Sequence, residues 1–300
     1  MAESDYVRKL VGKHGEVFSW IVEMSAMPKS MVWNMCGGLT GVEMEQLLRR
    51  WERAGLVKTA TVGTVRWVWC TTYGNEIAGA APYRNEIPPT ETTWRHLRAV
   101  CLVRAAIESM GGEWMSGRYL RWESEHRAPA PTRPRTPTQK TGRTPNGAPP
   151  GPLTYPDGLA WLVPRSTGTG WPWLVRVNLN ANLNANLNAN LNANLNSSSS
   201  SDPSSDPSSH SEATPGWDED WTALIATGTA LTSSEKFCVL YVVSDNSYGL
   251  AEAALETRPD RDRFQLQRLS ELAPLGKQWF RTRTSSTNWN PRTGTRQPDR

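Results

Sequence analysis

Residues 40–57 read TGVEMEQLLRRWERAGLV and decide how the N-terminal part of the chain folds. At 100° per residue, the apolar side chains gather on one side of a helix and the basic ones on the other. The apolar side chains are Met44, Leu47, Leu48 and Trp51. Thr40 with Glu43 three residues later is the signature of a capping box, and Gly55 marks a helix end. We therefore predict a two-faced helix over residues 41–54.

The flanking segments complete a recognisable order of elements. Apolar side chains at helical spacing predict a helix over residues 15–24 and a shorter one over 28–36, which Gly37 and Gly38 terminate. Downstream, residues 58–62 and 65–70 are typical of two strands joined by a tight turn. Helix, helix, helix, hairpin is the order of a winged helix-turn-helix, which we predict within residues 1–82.

A winged helix-turn-helix binds double-stranded DNA with the third helix in the major groove. Arginine can pair with guanine and glutamine with adenine, whereas cations near the helix end and on the hairpin suit phosphates or the minor groove. The predicted DNA-binding residues are Thr40, Gln46, Arg49, Arg50, Arg53, Lys58 and Arg66. Because Glu43, Glu45 and Glu52 flank the basic side chains, we expect selective binding to DNA more than tight non-specific binding. A solvated basic face that contacts other proteins is the alternative.

The rest of the chain alternates between ordered and low-complexity segments. We predict a helical segment over 83–127 with its main helix at 91–110 after Thr90, and strand-like sequence around a Pro-Asp-Gly turn. Strand, helix and strand follow at about 237–269. The predicted segments are 1–82 (winged helix-turn-helix), 83–127 (helical), 128–152 (disordered linker), 153–177 (strand pair), 178–216 (Asn/Leu/Ala and Ser-rich insert), 217–278 (βαβ-like) and 279–300 (basic disordered tail).

Composition excludes several classes of protein. The net charge of +4 is mild, so any basic surface must come from the arrangement of side chains. The four cysteines lie far apart without metal-ligand spacing, which indicates free thiols and no zinc site. We expect no cofactor and no metal. Neither a membrane-spanning stretch nor a signal pattern is seen, so we expect a cytoplasmic protein that contacts no membrane.

Asp157 is the one candidate catalytic residue. Tyr155-Pro156-Asp157-Gly158 resembles the first half of the restriction-endonuclease-like PD-(D/E)XK signature. That chemistry needs an acidic-x-Lys on the next strand, so that carboxylates bind Mg²⁺ and the lysine helps to activate water. The sequence from Leu162 to Thr169 contains neither a carboxylate nor a lysine. We therefore interpret Asp157 as a turn residue or a vestige of such a site, and expect no catalysis.

Several stretches resemble the replication-relaxation family of actinobacterial plasmids and integrated mobile elements. They are Arg53–Val57, Trp67–Gly74, Trp94–Val100 continuing through Glu108, Glu113-Trp114, Val239–Val243, and Arg263-Phe264 through Leu272. The resemblance implies DNA binding in plasmid replication or DNA relaxation, with a winged helix ahead of a nuclease-like α/β domain. The chain departs from similar proteins over 128–176, and we hypothesise that small insertions or deletions have shifted the reading frame across 128–151 and around 164–173.

Together these observations predict an α+β protein. Its expected parts are an N-terminal winged helix-turn-helix and a degenerate restriction-endonuclease-like α/β domain that disordered low-complexity segments interrupt. The expected function is non-catalytic DNA binding in replication, DNA relaxation or transfer of a mobile element. Two alternatives stay open: a winged-helix transcriptional regulator and a Mg²⁺-dependent nuclease. A homodimer is also left open.

Overall fold

The computed structural model describes residues 2–78, 86–126, 155–162, 170–179, 217–232 and 236–282. Within these ranges the chain has a mixed α+β fold with two β-sheets. The predicted linker at 128–152, most of the predicted insert at 178–216, and the predicted tail from residue 283 onward lie outside the described residues. None of the helices in the described ranges is long and apolar enough to cross a membrane.

The N-terminal part contains the predicted helices and hairpin. Its elements are α1 (Ala2–Lys13), α2 (Gly15–Glu23), β1 (Met27–Pro28), α3 (Lys29–Cys36), α4 (Gly41–Arg53), β2 (Val57–Val62), β3 (Val65–Cys70) and α5 (Thr72–Ile77). In the small sheet, β3 pairs antiparallel with β1 on one side and with β2 on the other. The helices predicted at 15–24, 28–36 and 41–54 and the hairpin are confirmed to within two residues. Pro28, predicted inside the second helix, instead lies in β1 and precedes α3.

The second part is built around a five-stranded sheet. Its elements are α6 (Trp94–Ser109), β4 (Glu113–Ser116), α7 (Gly117–His126), β5 (Gly158–Trp161), β6 (Trp173–Asn178), α8 (Trp217–Thr232), β7 (Cys238–Val243), α9 (Asp245–Glu256), β8 (Phe264–Arg268) and α10 (Leu269–Thr282). The strand order is β4-β5-β6-β7-β8, antiparallel from β4 to β6 and parallel from β6 to β8. The strand–helix–strand unit predicted near the end is therefore confirmed.

Alternation along β6 and β7 sends side chains to opposite faces of this sheet. One face contributes Val175, Val177, Leu240 and Val242 to the buried apolar cluster that also contains side chains of α6 and α10. The other face packs against α8 and α9, through Leu159, Leu174, Val239, Tyr241 and Val243. β7 is thus buried on both faces, as its continuous apolar run predicted.

Three predicted boundaries are wrong. The main helix of the helical segment begins at Trp94 and not at 91, and the backbone amide of Trp94 donates to the Thr90 carbonyl. The neighbour of β5 is β6, whereas sequence reasoning took the next strand to start at Leu162. Finally, α10 continues to Thr282, four residues into the stretch predicted as a tail.

The two parts share one apolar core. Trp20 on α2 lies in the same buried cluster as Trp279 and Phe280 on α10. Beside them, the buried guanidinium of Arg104 on α6 pairs with Glu23 at 2.6 Å and with Glu108 at 2.9 Å. An arginine this buried is tolerated because both carboxylates and the face of Trp20, 3.8 Å from its guanidinium carbon, compensate its charge. The N-terminal helices are therefore held firmly against the second part.

Candidate nucleic-acid interface

Helix α4 is held in place by its start, its end and its apolar face. The backbone amide of Thr40 donates to a Glu43 carboxylate oxygen at 2.7 Å, and the Thr40 hydroxyl accepts from the Glu43 amide at 3.3 Å. The Thr40 hydroxyl also donates to this carboxylate at 2.8 Å, and the two hydrogen bonds that the carboxylate accepts from Thr40 lower the pKa of Glu43. At the other end, Gly55 adopts a φ of 68°, which lets the Leu56 amide return to the Trp51 carbonyl. The predicted capping box and glycine stop are both confirmed, so α4 is rigidly oriented.

The apolar side of α4 is buried and its basic side is exposed, as predicted. Met44, Leu47, Leu48 and Trp51 are the buried side chains. On the opposite side, Gln46, Arg49, Arg50 and Arg53 are exposed. Arg50 donates to the backbone carbonyl of Gln46. Among the described residues, none of the three guanidiniums pairs with a carboxylate, so their charge is free to meet an anion. We call Arg49, Arg50 and Arg53 the α4 arginines.

Two glutamates of α4 form ion pairs or hydrogen bonds with side chains of other elements. Glu45 pairs with Lys29 on α3 and with Arg66 on β3, whose Nη1 lies 3.0 Å from its Oε2. Hydrogen bonding to Lys29, together with the charges of both cations, lowers the pKa of Glu45. Glu52 accepts a hydrogen bond from the Thr59 hydroxyl at 2.6 Å. The carboxylates predicted to flank the basic side chains are therefore partly compensated, and they oppose an approaching phosphate less than the sequence suggested.

The hairpin cations are paired as well. Lys58 on β2 lies 2.7 Å from a Glu86 carboxylate oxygen, and Arg66 is held by Glu45 as described. The structure thus separates the predicted DNA-binding residues into two groups, with the α4 arginines unpaired and Lys58 and Arg66 engaged. Because surface ion pairs contribute only about 0–1 kcal/mol, phosphates could displace both partners at modest cost.

His14 connects the basic surface of α4 to α1. Its ring packs edge-on against Trp51 with centroids 5.6 Å apart, and only 6% of the residue is exposed. Burial, reinforced by the charges of Lys13 and Arg50, lowers the pKa of His14 to about 4. His14 is therefore neutral at pH 7. Lys13 at the end of α1 is exposed, and its charge, like that of Arg50, acts on the His14 ring.

Asp157 lies in a polar cluster that sequence reasoning did not find. Its Oδ1 lies 2.8 Å from Nε2 of His96 on α6, and its Oδ2 accepts from the Val177 amide on β6 at 2.7 Å. Burial disfavours both charges, but their mutual attraction and hydrogen bond outweigh it, which raises the pKa of His96 and lowers that of Asp157. The two side chains therefore form an ion pair between helix and sheet.

The cluster continues along the sheet through Arg176. Its guanidinium binds both carboxylate oxygens of Asp220 on α8, at 3.2 and 3.3 Å. The Tyr241 hydroxyl donates to the same carboxylate and accepts from the Asn178 amide. Partners this far apart in sequence leave no local pattern, although Arg176 stands out as a charged residue within strand β6.

The polar side chains of this cluster bind one another, as in a structural ion-pair network, and are not arranged as a nuclease site requires. Both oxygens of Asp157 already have partners, and β6 offers Arg176 and Asn178 but neither a carboxylate nor a lysine. Among the described residues, no three His, Cys, Asp or Glu side chains come together as a metal site. The cysteines in the described ranges are free thiols, and burial raises the pKa of Cys36, Cys70 and Cys101 to about 12.

Comparison of the chain with protein-family models, with curated proteins and with solved structures found no match. The resemblance to the replication-relaxation family therefore stays a prediction.

Proposed function

We propose that the chain binds double-stranded DNA through α4, as the reading helix of a winged helix-turn-helix formed by residues 15–70. The observation that carries the proposal is the exposed and unpaired state of the α4 arginines beside three occupied glutamates. Three uncompensated cations on one rigid helix face attract phosphates at any sequence, and a groove-bound helix can also present Gln46 to base edges.

The predicted DNA-binding residues would fall into two groups, those that contact base edges and those that contact phosphates. Gln46 and Arg49 suit base edges, whereas Arg50 and Arg53, near the end of the helix, suit the phosphates alongside. Thr40 serves mainly as the helix cap, and its amide and hydroxyl would contact a phosphate only by releasing the Glu43 carboxylate. Lys58 and Arg66 would join by exchanging Glu86 and Glu45 for phosphate oxygens. If the chain acts as a homodimer, two copies of α4 would read half-sites about 34 Å apart.

The proposed context is replication, DNA relaxation or transfer of a mobile element, in the cytoplasm and without catalysis by this chain. In that proposal the five-stranded sheet is a degenerate restriction-endonuclease-like domain. Asp157 directly precedes β5 and contacts β6, but the acidic-x-Lys half of the signature is replaced by Arg176 and Asn178. A transcriptional regulator would use the same surface, and its target would be a palindrome near its own promoter.

The test is a fluorescence-anisotropy titration of labelled duplex DNA from the genes next to the coding sequence. Changing Arg49, Arg50 and Arg53 together to Gln should weaken binding at least tenfold at 0.1 M salt. It should also flatten the plot of log K against log salt by about 2, because the phosphate contacts of Arg50 and Arg53 each contribute about 0.9 to the slope. A triple change of Lys236, Arg261 and Arg268 to Gln is the matched control, since it removes the same charge near the β8 edge of the large sheet. Equal binding by the two variants would remove α4 from the reading role.

A further inference from the structure

A groove between α3, α6 and α10 encloses about 270 Å³. Its floor is apolar, formed by Met31, Leu102 and Phe280, which are almost fully buried. At roughly 30 Å³ per water molecule, the space would hold about nine waters. It is therefore large enough for a phosphate group together with part of the sugar that carries it.

The walls of this groove carry three cations from two helices. Arg98 projects from α6, and Lys277 and Arg281 project from α10. The lining contains no carboxylate, and among the described residues these three side chains have no hydrogen-bond or ion-pair partner. Other cations, such as Lys29 and Lys58, are paired across elements. The groove is thus a concentration of uncompensated positive charge.

The polar groups suit a phosphate. Guanidiniums can each bind two phosphate oxygens, whereas lysine supplies a point charge. Ser30 and Asn34, one turn apart on α3, add a hydroxyl and an amide as neutral donors on the third wall. This combination of two guanidiniums, an ammonium and neutral donors resembles the side chains that contact the DNA backbone in general.

Helix α3 links this groove to the proposed DNA surface. Trp33 lies between Ser30 and Asn34 in sequence, is 39% exposed, and donates its indole N–H to the Leu39 carbonyl at 2.7 Å. A Cβ built on Gly41 would lie 3.9 Å from its ring, so the indole stands against the first residue of α4. An exposed strip of α3 therefore leads from the groove to the start of the reading helix.

We propose that this groove, named here the α6–α10 groove, holds a backbone phosphate of nucleic acid whose adjoining segment lies on α4. The inference rests on the proposed function, since it assigns a second contact to the same DNA. It commits to the backbone as the source of the phosphate, and free phosphate compounds become an outcome of the test. The groove adds affinity for the DNA backbone, and α4 provides selectivity.

The experiment compares three triple variants of the full chain. In the groove variant Arg98, Lys277 and Arg281 are changed to Gln; the α4 variant and the control variant are those described above. Duplex binding is measured by anisotropy from 50 to 300 mM salt, with near-ultraviolet circular dichroism to confirm folding. We expect the groove variant to bind at least fivefold more weakly than wild type at 0.1 M salt, with a salt slope smaller by about 1, because one phosphate contact is lost. The control variant should differ from wild type by less than twofold.

A second arm titrates inorganic pyrophosphate against wild type, the groove variant and the control variant by calorimetry. Pyrophosphate binding that the groove variant loses, with an unchanged DNA salt slope, would overturn the backbone assignment in favour of a free phosphate compound. A groove variant that matches the control in both arms would overturn the site altogether. If the groove variant loses DNA binding and the α4 variant does not, the groove stands and the reading role of α4 falls.

Discussion

The indole of Trp20 on α2 lies 4.8 Å from the indole of Trp279 on α10, centroid to centroid. Phe280 meets Trp20 edge-on at 5.5 Å, and the Arg104 guanidinium covers its ring at 3.8 Å. One helix near the start of the chain is thus packed against one near its end. The proposed DNA-binding part cannot be separated from the second part without exposing these rings.

Replacing Trp279 with Ala should therefore lower the free energy of unfolding by about 3–5 kcal/mol, because it empties a large volume beside Trp20. Urea denaturation followed by tryptophan fluorescence measures this loss. Leu275 lies on the same helix and is 39% exposed, so its change to Ala should cost well under that amount. Similar losses for the two variants would mean that the aromatic contact adds little.

The ion pairs of Glu45 predict a gain in DNA binding. Changing Glu45 to Gln should release Lys29 and Arg66 and remove one negative charge from the DNA-facing side. We expect duplex affinity to rise about 3- to 10-fold at 0.1 M salt, with a salt slope steeper by up to about 2. Glu256 is exposed on α9, and its change to Gln gives the same net charge elsewhere. Equal effects in anisotropy titrations would assign the gain to net charge alone.

The pair of His96 and Asp157 predicts a stability window in pH. His96 has a raised pKa, so its contribution is complete below its ordinary value of 6.5 and is lost as pH rises through the raised value. Asp157 has a lowered pKa, so its contribution holds above 3.8 and is lost as pH falls through the lowered value. Changing Asp157 to Asn should thus cost about 2–3 kcal/mol at pH 5.5 and less at pH 9.

Urea unfolding at the two pH values measures this difference. Exposed Asp262, changed to Asn, is the control and should leave the pH dependence as in wild type. A cost for the Asp157 variant that is the same at pH 5.5 and pH 9 would contradict an ionic interaction with His96.

Burial of His14 predicts destabilisation by acid. Its folded pKa of about 4 lies below the ordinary 6.5, so the unfolded chain binds the proton more readily between these values. Stability due to His14 is therefore present above pH 6.5 and falls on the order of 3 kcal/mol between pH 7 and pH 4. Changing His14 to Phe should remove that part of the pH dependence, since Nδ1 has no hydrogen-bond partner to lose. Exposed His126, changed to Gln, is the comparison in urea titrations at both pH values.

The cap of α4 predicts a modest and specific cost. Thr40 changed to Ala should lower the unfolding free energy by about 1 kcal/mol, because the Glu43 amide loses its acceptor. Thr40 changed to Ser keeps the hydroxyl and should stay close to wild type. Thermal and urea unfolding of the pair distinguish loss of the cap from loss of the methyl group.

Sequence predicted those elements whose signals are local. Helix α4 has its cap, its two faces and its glycine stop within 16 residues. Strand β7 is predicted by its continuous apolar run. Helix α10 was missed because Pro274 and Gly276 lie inside it and argue against a helix. Packing overrides that preference: a Cβ on Gly276 would lie 2.2 Å from the Leu102 carbonyl oxygen, so glycine allows α10 to approach α6 closely.

In the candidate site, too, features with a local sequence signal were predicted and long-range contacts were not. The exposure of the α4 arginines follows from helical spacing and was predicted. The partners of Glu45 could not be, since Lys29 and Arg66 lie 16 and 21 residues away on other elements. His96 and Asp157 are 61 residues apart and meet only because α6 packs against one face of the sheet.

The packing of α10 on α2 also has a consequence for synthesis. About 260 residues separate Trp20 from Trp279, so at 5–20 residues per second a ribosome needs roughly 13–50 s to deliver the second ring after the first. During that interval the Trp20 ring of α2 lacks its aromatic partners in the nascent chain, which makes it a natural binding surface for chaperones. A prematurely terminated product lacking α10 would keep that surface uncovered, so it should be degraded rather than compete for DNA.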